Sequence, residues 1–139
     1  MPIENFPFST YGGGVDRPYL LVRITNPHTG LHYITYGVID TGADECAIPA
    51  LFAPIIGHNI HAVIPKEIQT GNGNTCAYPH MTKFEIFHPD TGEIIYTTED
   101  TPVDFMPNLH VTLLGVKNFL GKFILNINYP KRTFSIKYP

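Results

Sequence analysis

Short runs of alternating apolar and polar positions recur along this chain, and prolines and glycines interrupt them. Leu20, Val22 and Ile24 alternate with Leu21, Arg23 and Thr25, and Phe123, Leu125, Ile127 and Tyr129 alternate with Ile124, Asn126 and Asn128. Near the end, Phe134, Ile136 and Tyr138 alternate with Ser135 and Lys137. A period of two puts successive side chains on opposite faces of a strand, so each run predicts a half-buried strand. The 13 prolines and 12 glycines are spread so evenly that few windows of about 12 residues can hold an uninterrupted helix.

The connectors carry hairpin chemistry. Asn26-Pro27-His28-Thr29-Gly30 and His88-Pro89-Asp90-Thr91-Gly92 put Pro early in a tight turn and Gly where a positive φ is needed, and Tyr129-Pro130-Lys131-Arg132 is a third turn. Thr70-Gly71-Asn72-Gly73-Asn74-Thr75 is richer in Gly and Asn than a tight turn demands and predicts a mobile hairpin arm. Short helical turns are predicted at residues 118–122, after Gly115, and around Ala50 to Phe52. Residues 1–16, which run through Gly12-Gly13-Gly14, lack patterning and read as a loosely held arm. Residues 17–139 read as one all-β domain, closed or nearly closed into a barrel because many short strands must hide their edges.

Composition narrows the function classes. A length of 139 residues suits one domain. A net charge of -3 offers no electrostatic basis for binding nucleic acid or an anionic membrane. No apolar stretch approaches the roughly 20 residues that cross a bilayer, and Met1-Pro2-Ile3-Glu4-Asn5 lacks a signal peptide's basic and apolar regions. A soluble, cytoplasmic protein is the expectation. Cys46 and Cys76 make no disulfide framework and read as free thiols in a reducing compartment. The histidines form no metal-ligand motif, with His58 and His61 standing alone as a pair, so neither a metal nor another cofactor is expected.

Candidate chemistry sits where Tyr36-Gly37-Val38-Ile39, an apolar strand end, runs into Asp40-Thr41-Gly42. A carboxylate delivered by a buried strand is costly unless its own loop supplies donors, and the Thr41 hydroxyl and Gly42 amide are the nearest. The tripeptide alone also suits a plain turn. Asp90-Thr91-Gly92 spells the same residues after His88-Pro89, without an apolar lead-in, and reads as a surface turn; two matching lobes are thereby excluded.

Taken together, four features resemble the retroviral-type pepsins (retropepsins) and their cellular and bacterial relatives, over roughly Arg17 to Ile136. Asp40-Thr41-Gly42-Ala43-Asp44, led by Val38-Ile39, is similar to the family's catalytic loop. Val111-Thr112-Leu113-Leu114-Gly115, followed by Asn118-Phe119-Leu120, is similar to its second signature. Arg17-Pro18 before Leu20-Leu21-Val22 resembles the entry to the first strand in viral members, and Gly71 to Tyr78 occupies the place of the substrate-covering flap. Two departures stand out: Gly115-Val116-Lys117-Asn118-Phe119 carries one residue more than relatives have, and Lys117 replaces an arginine that supports the second loop aspartate in viral members.

The resemblance implies a retropepsin-like closed β-barrel with one short C-terminal helix and a β-hairpin flap. It also implies an aspartic endopeptidase acting on polypeptides as a homodimer, each subunit giving one catalytic Asp40. Bilobal pepsins use a much longer chain, so a two-fold axis would bring Asp40 to its mate. One carboxylate would activate water while the other, protonated, polarises the scissile carbonyl, with an acidic to near-neutral optimum. Thr41 would lock the two loops together, and Gly42 would bond the substrate backbone. Ala43, Asp44, Leu114 and the flap residues Gly71, Asn72 and Gly73 would contact substrate, while Asp44 would pair with Arg17 of the partner subunit.

Rival readings have weaker support. The same fold without turnover would be a peptide-binding or scaffold module, against which the intact loop argues. A carboxylate-pair glycosidase using Asp40 with Asp44 or Glu45 lacks any tryptophan to build a sugar cleft. Ser9 and Ser135 lack a nucleophile context, and Cys76 falls in the flap.

Overall fold

A computed structural model of the chain describes residues 2–11, 13–71 and 73–139. Eleven strands are present among them: β1 (Ile3–Pro7), β2 (Tyr19–Thr25), β3 (His32–Ile39), β4 (Ala47–Pro49), β5 (Lys66–Thr70) and β6 (Gly73–Phe87) come first. They are followed by β7 (Ile94–Thr97), β8 (Thr101–Met106), β9 (Thr112–Leu114), β10 (Ile124–Asn128) and β11 (Thr133–Lys137). Helical structure among the described residues is confined to single 3-10 turns at Ala50–Phe52, Pro54–Ile56, Ile60–Ala62 and Leu120–Lys122. None is long and apolar enough to cross a membrane.

Pairing closes the larger sheet into a ring. β2 is antiparallel to both β3 and β6, β6 to β8, and β4 to β9, while β3 runs parallel to β9 and β4 parallel to β8. The 15-residue β6 makes closure possible, because it is long enough to bond β5, β8, β2 and β7 in turn. At the β2–β6 seam, Arg23 stands opposite Glu85, donating from Nε and Nη2 to the two carboxylate oxygens at 2.8 Å each. Such a bidentate pair fixes register as well as energy. The Glu85 carboxyl is held below its usual range, first by the Arg23 hydrogen bond, with burial opposing.

The period-two pattern sorts β2 as expected through Ile24: Leu20, Val22 and Ile24 are buried, while Leu21 and Arg23 are partly exposed. Thr25 departs from it, being buried with its hydroxyl donating to Glu85 Oε1 at 3.4 Å. Leu20, Val22 and Ile24 meet Ile39, Ile48, Phe84, Ile86, Phe105, Leu114 and Phe119 in one core. On β11, Phe134 and Ile136 point into the same core, but Tyr138 lies beyond the strand and is exposed. The two Pro-and-Gly connectors form equivalent turns. Gly30 N–H donates to Asn26 O and Gly92 N–H to His88 O, with φ of +75° and +72° at the glycines.

The first residues depart from the loosely held arm read from the sequence. Ile3–Pro7 is a strand on the edge of a three-stranded sheet ordered β1-β11-β10, with Phe6 opposite Phe134 and Ile3 buried. A register shift between Ile3 and Phe6, with Asn5 at φ 49°, removes the regular alternation that would have marked it.

Candidate active site

Asp40 leaves the end of β3, beside β9. The parallel register pairs Gly37 with Thr112, Val38 with Leu113 and Ile39 with Leu114, and the Asp40 N–H continues it by donating to Leu114 O at 3.1 Å. The chain then turns back on itself: Ala43 N–H donates to Asp40 O at 3.2 Å, and Gly42 N–H to Asp40 Oδ1 at 3.0 Å. The Gly42 amide is thus the loop donor that the carboxylate needs, as the sequence leads one to expect. Asp40 is half-buried, whereas Thr41, Gly42 and Asp44 are exposed and Ala43 is partly so.

The loop is laced to the segment after β9. Val116 N–H donates to Ala43 O at 3.0 Å, Lys117 N–H to Asp44 O at 2.7 Å, and Gly115 N–H to Cys46 Sγ at 3.3 Å. A Cβ on Gly115 would lie 2.4 Å from Glu45 O and 2.9 Å from Ala43 O, so only glycine permits this approach. A turn at residues 116–119, with Asn118 at φ 62°, leads into the 3-10 turn Leu120–Lys122.

Asp40 and Thr41 open onto a cleft of about 860 Å³ whose walls include Arg17, Val38, Val111 and Leu113. Leu113, not Leu114, faces this cleft. Leu114 is fully buried against Gly37, on the opposite face of β9, which corrects the expectation that its side chain contacts substrate. Arg17 is exposed, and its backbone bridges Ser9. Gly71 and Gly73 belong to the hairpin of β5 and β6, whose register runs from Lys66 opposite Ala77 to Thr70 opposite Gly73. Neither glycine is among the walls of the Asp40 cleft, and Asn72 lies outside the described residues. Asp90-Thr91-Gly92 is an exposed turn, as its context indicates.

No protein-family model and no curated protein matches the chain in sequence. Solved structures do match. A retropepsin-like aspartic protease from Rickettsia conorii superposes with a TM-score of 0.63 at 16% identity, covering 97% of this chain and 96% of that one. The chain has the retropepsin-like fold. The EIAV protease in complex with an inhibitor is also similar, at TM-score 0.47 and 21% identity over 71% of this chain and 81% of that one.

Two clusters within this retropepsin-like fold are invisible to motif reading. In the first, Lys66 at the root of the hairpin lies 2.5 Å from Glu45 Oε2 and 3.0 Å from Asp104 Oδ1, and Lys117 Nζ lies 3.6 Å from Glu45 Oε1. The Lys117 side chain thus serves Glu45, whereas the resemblance pointed to Asp44. Burial pushes the Asp104 carboxyl up, with Lys66 opposing, and the Lys66 hydrogen bond holds Glu45 down. In the second, the buried rings of His58 and His80 stack with centroids 4.7 Å apart. His58 is therefore partnered by His80 across the fold and not by His61. Both cysteines are free thiols; burial pushes Cys46 up to about 12, while Cys76 is exposed on β6. Charges and rings brought together from distant parts of the chain leave no local sequence signal.

Proposed function

We propose that this chain is an aspartic endopeptidase that hydrolyses peptide bonds in extended polypeptides, and that two copies complete its site. Asp40 supplies one carboxylate per subunit. In the pair, the ionised carboxylate takes a proton from water as its oxygen adds to the scissile carbonyl, which the protonated mate polarises. Collapse of the resulting tetrahedral diol breaks the C–N bond, and a proton passes to the leaving amine. A mechanism that needs one ionised and one protonated carboxylate predicts activity from acidic to near-neutral pH.

The observation that carries this reading is the setting of Asp40: half-buried, tied to Leu114 O and Gly42 N–H, and open to a cleft of about 860 Å³. The other Asp-Thr-Gly is a surface turn, which supports a second copy of the chain as the source of the second carboxylate. Thr41 and Gly42, exposed beside Asp40, suit contacts across the two-fold axis and to substrate backbone. Ala43 and Asp44 extend the substrate-facing edge, and exposed Arg17 suits a pair with Asp44 across the interface. The β5–β6 hairpin acts as the flap, adding main-chain bonds to the peptide through its Gly71-Asn72-Gly73 tip. Two free thiols fit a reducing, cytoplasmic setting.

Asp40→Asn should abolish cleavage of an unfolded protein while leaving the dimer intact in sedimentation. Persistent cleavage by the purified variant would sink the peptidase reading. Full specific activity from a species that stays monomeric at every dilution would sink the shared site.

A further inference from the structure

Resting on the peptidase reading, we propose that Lys66 is a positioning residue that fastens the root of the β5–β6 hairpin to the Asp40 loop. Lys66 is the first residue of β5 and pairs with buried Ala77 where the hairpin leaves the barrel. Its ammonium bridges two carboxylates, Glu45 in the loop that carries Asp40 at 2.5 Å and Asp104 on β8 at 3.0 Å. Glu45 directly follows Asp44, and its main-chain carbonyl abuts Gly115, so a force on Glu45 is a force on the loop that carries Asp40.

An exposed ion pair would be a weak fastening. This one is stronger because the Asp104 side chain is only 6% exposed and lies beside a second carboxylate. A buried carboxylate that loses its cation is left uncompensated, which costs far more than an exposed pair contributes. Lys117 cannot substitute: its side chain is 68% exposed, and its ion pair is with Glu45. Hairpin position and loop geometry are therefore set together by one ammonium, and closure over a peptide is felt at the Asp40 loop.

Hydrogen exchange tests the fastening without requiring turnover. In Lys66→Met, amides of residues 66–71, 73–77 and 41–45 should exchange at least tenfold faster than in the native chain, with β2 and β3 unchanged and Lys66→Arg restoring native rates. For an extended peptide substrate, Lys66→Met should raise KM at least tenfold while kcat changes less than threefold. Native exchange in either segment, uniform acceleration across the barrel, or no rescue by arginine would overturn the proposal. Should Lys66→Met not fold, Glu45→Gln, altering a partly exposed side chain, must accelerate exchange in the same two segments or the proposal falls. A native chain that cleaves nothing would defeat the peptidase reading, while exchange would still decide the fastening.

Discussion

Lowering the pH from 6.5 towards 4 should destabilise the native chain through His58, whose environment is built for the neutral ring. Asn26 Nδ2 lies 3.2 Å from His58 Nδ1, and Asn26 is oriented by two other bonds: Nδ2 donates to Ile56 O, and Oδ1 accepts from His28 N–H. Nδ1 must therefore accept, and a proton placed there would face a donor. On the other side, the Thr82 hydroxyl donates to His80 O, leaving its oxygen 3.4 Å from His58 Nε2 to accept from the ring N–H. Burial, then the nearby His80 and His28, pull the imidazole from 6.5 to about 4, against a bond with the Met81 main chain.

Above pH 6.5 the ring is neutral folded and unfolded, and it adds no slope. Between 6.5 and about 4 the unfolded chain binds a proton that the folded chain refuses, so stability falls as pH falls. The loss is about 2 kcal/mol by pH 5 and at most about 3 kcal/mol below pH 4. Urea unfolding at fixed protein concentration, from pH 7.5 to 5, measures it. Carboxylates such as Glu85 add their own loss at lower pH, so the difference between native chain and His58→Gln isolates the imidazole. The variant should be less stable at pH 7.5 but lose about 2 kcal/mol less on reaching pH 5. Parallel losses in the two proteins would refute the reasoning.

Gly115→Ala would drive a Cβ to 2.4 Å from a backbone oxygen that has no rotamer to escape through, so a loss of more than about 3 kcal/mol is expected in thermal unfolding. The buried Thr112 hydroxyl has no hydrogen-bond partner among the described residues; Thr112→Val should raise stability by about 1 kcal/mol, read as a higher urea midpoint with unchanged slope.

Features fixed by neighbouring residues are legible in the sequence. The alternation of β2 and the Pro-to-Gly turns at 26–30 and 88–92 involve contacts within a few positions, so composition and spacing suffice to read them. The entry of Asp40 from an apolar strand is legible for the same reason. β1 is not, because its register with β11 is set by residues at the other end of the chain and broken by a shift at Asn5. Nor is the face on which Leu113 and Leu114 sit: β9 is three residues long, too short for alternation to declare itself, and its pairing with β3 decides. Lys66 on β5, Glu45 in the loop after β3 and Asp104 on β8 are far apart in sequence, and the barrel brings them within ion-pair distance.

The two Asp-Thr-Gly copies locate what distinguishes a site from a turn. Among the described residues, the hydrogen bonds of Asp90-Thr91-Gly92 stay within its own hairpin: Gly92 N–H donates to His88 O, Asp90 N–H to His88 Nδ1 and Glu93 N–H to Thr91 Oγ1, and His88 N–H to Glu93 O closes the turn. Any hairpin can make those bonds, and their partners move with it. The loop from Asp40 to Asp44 is bonded instead to Leu114, Val116 and Lys117, more than seventy positions away, and Gly115 lets the two backbones close to a distance no other residue allows. If the carboxylate is to meet a symmetry mate within a hydrogen bond's tolerance, as proposed, it needs a fixed frame and not a flexible turn. Under the dimeric reading, the Leu-Leu-Gly signature is the clamp that holds Asp40 to the barrel, and the exposed Thr41, Gly42 and Asp44 are the face left for the second subunit.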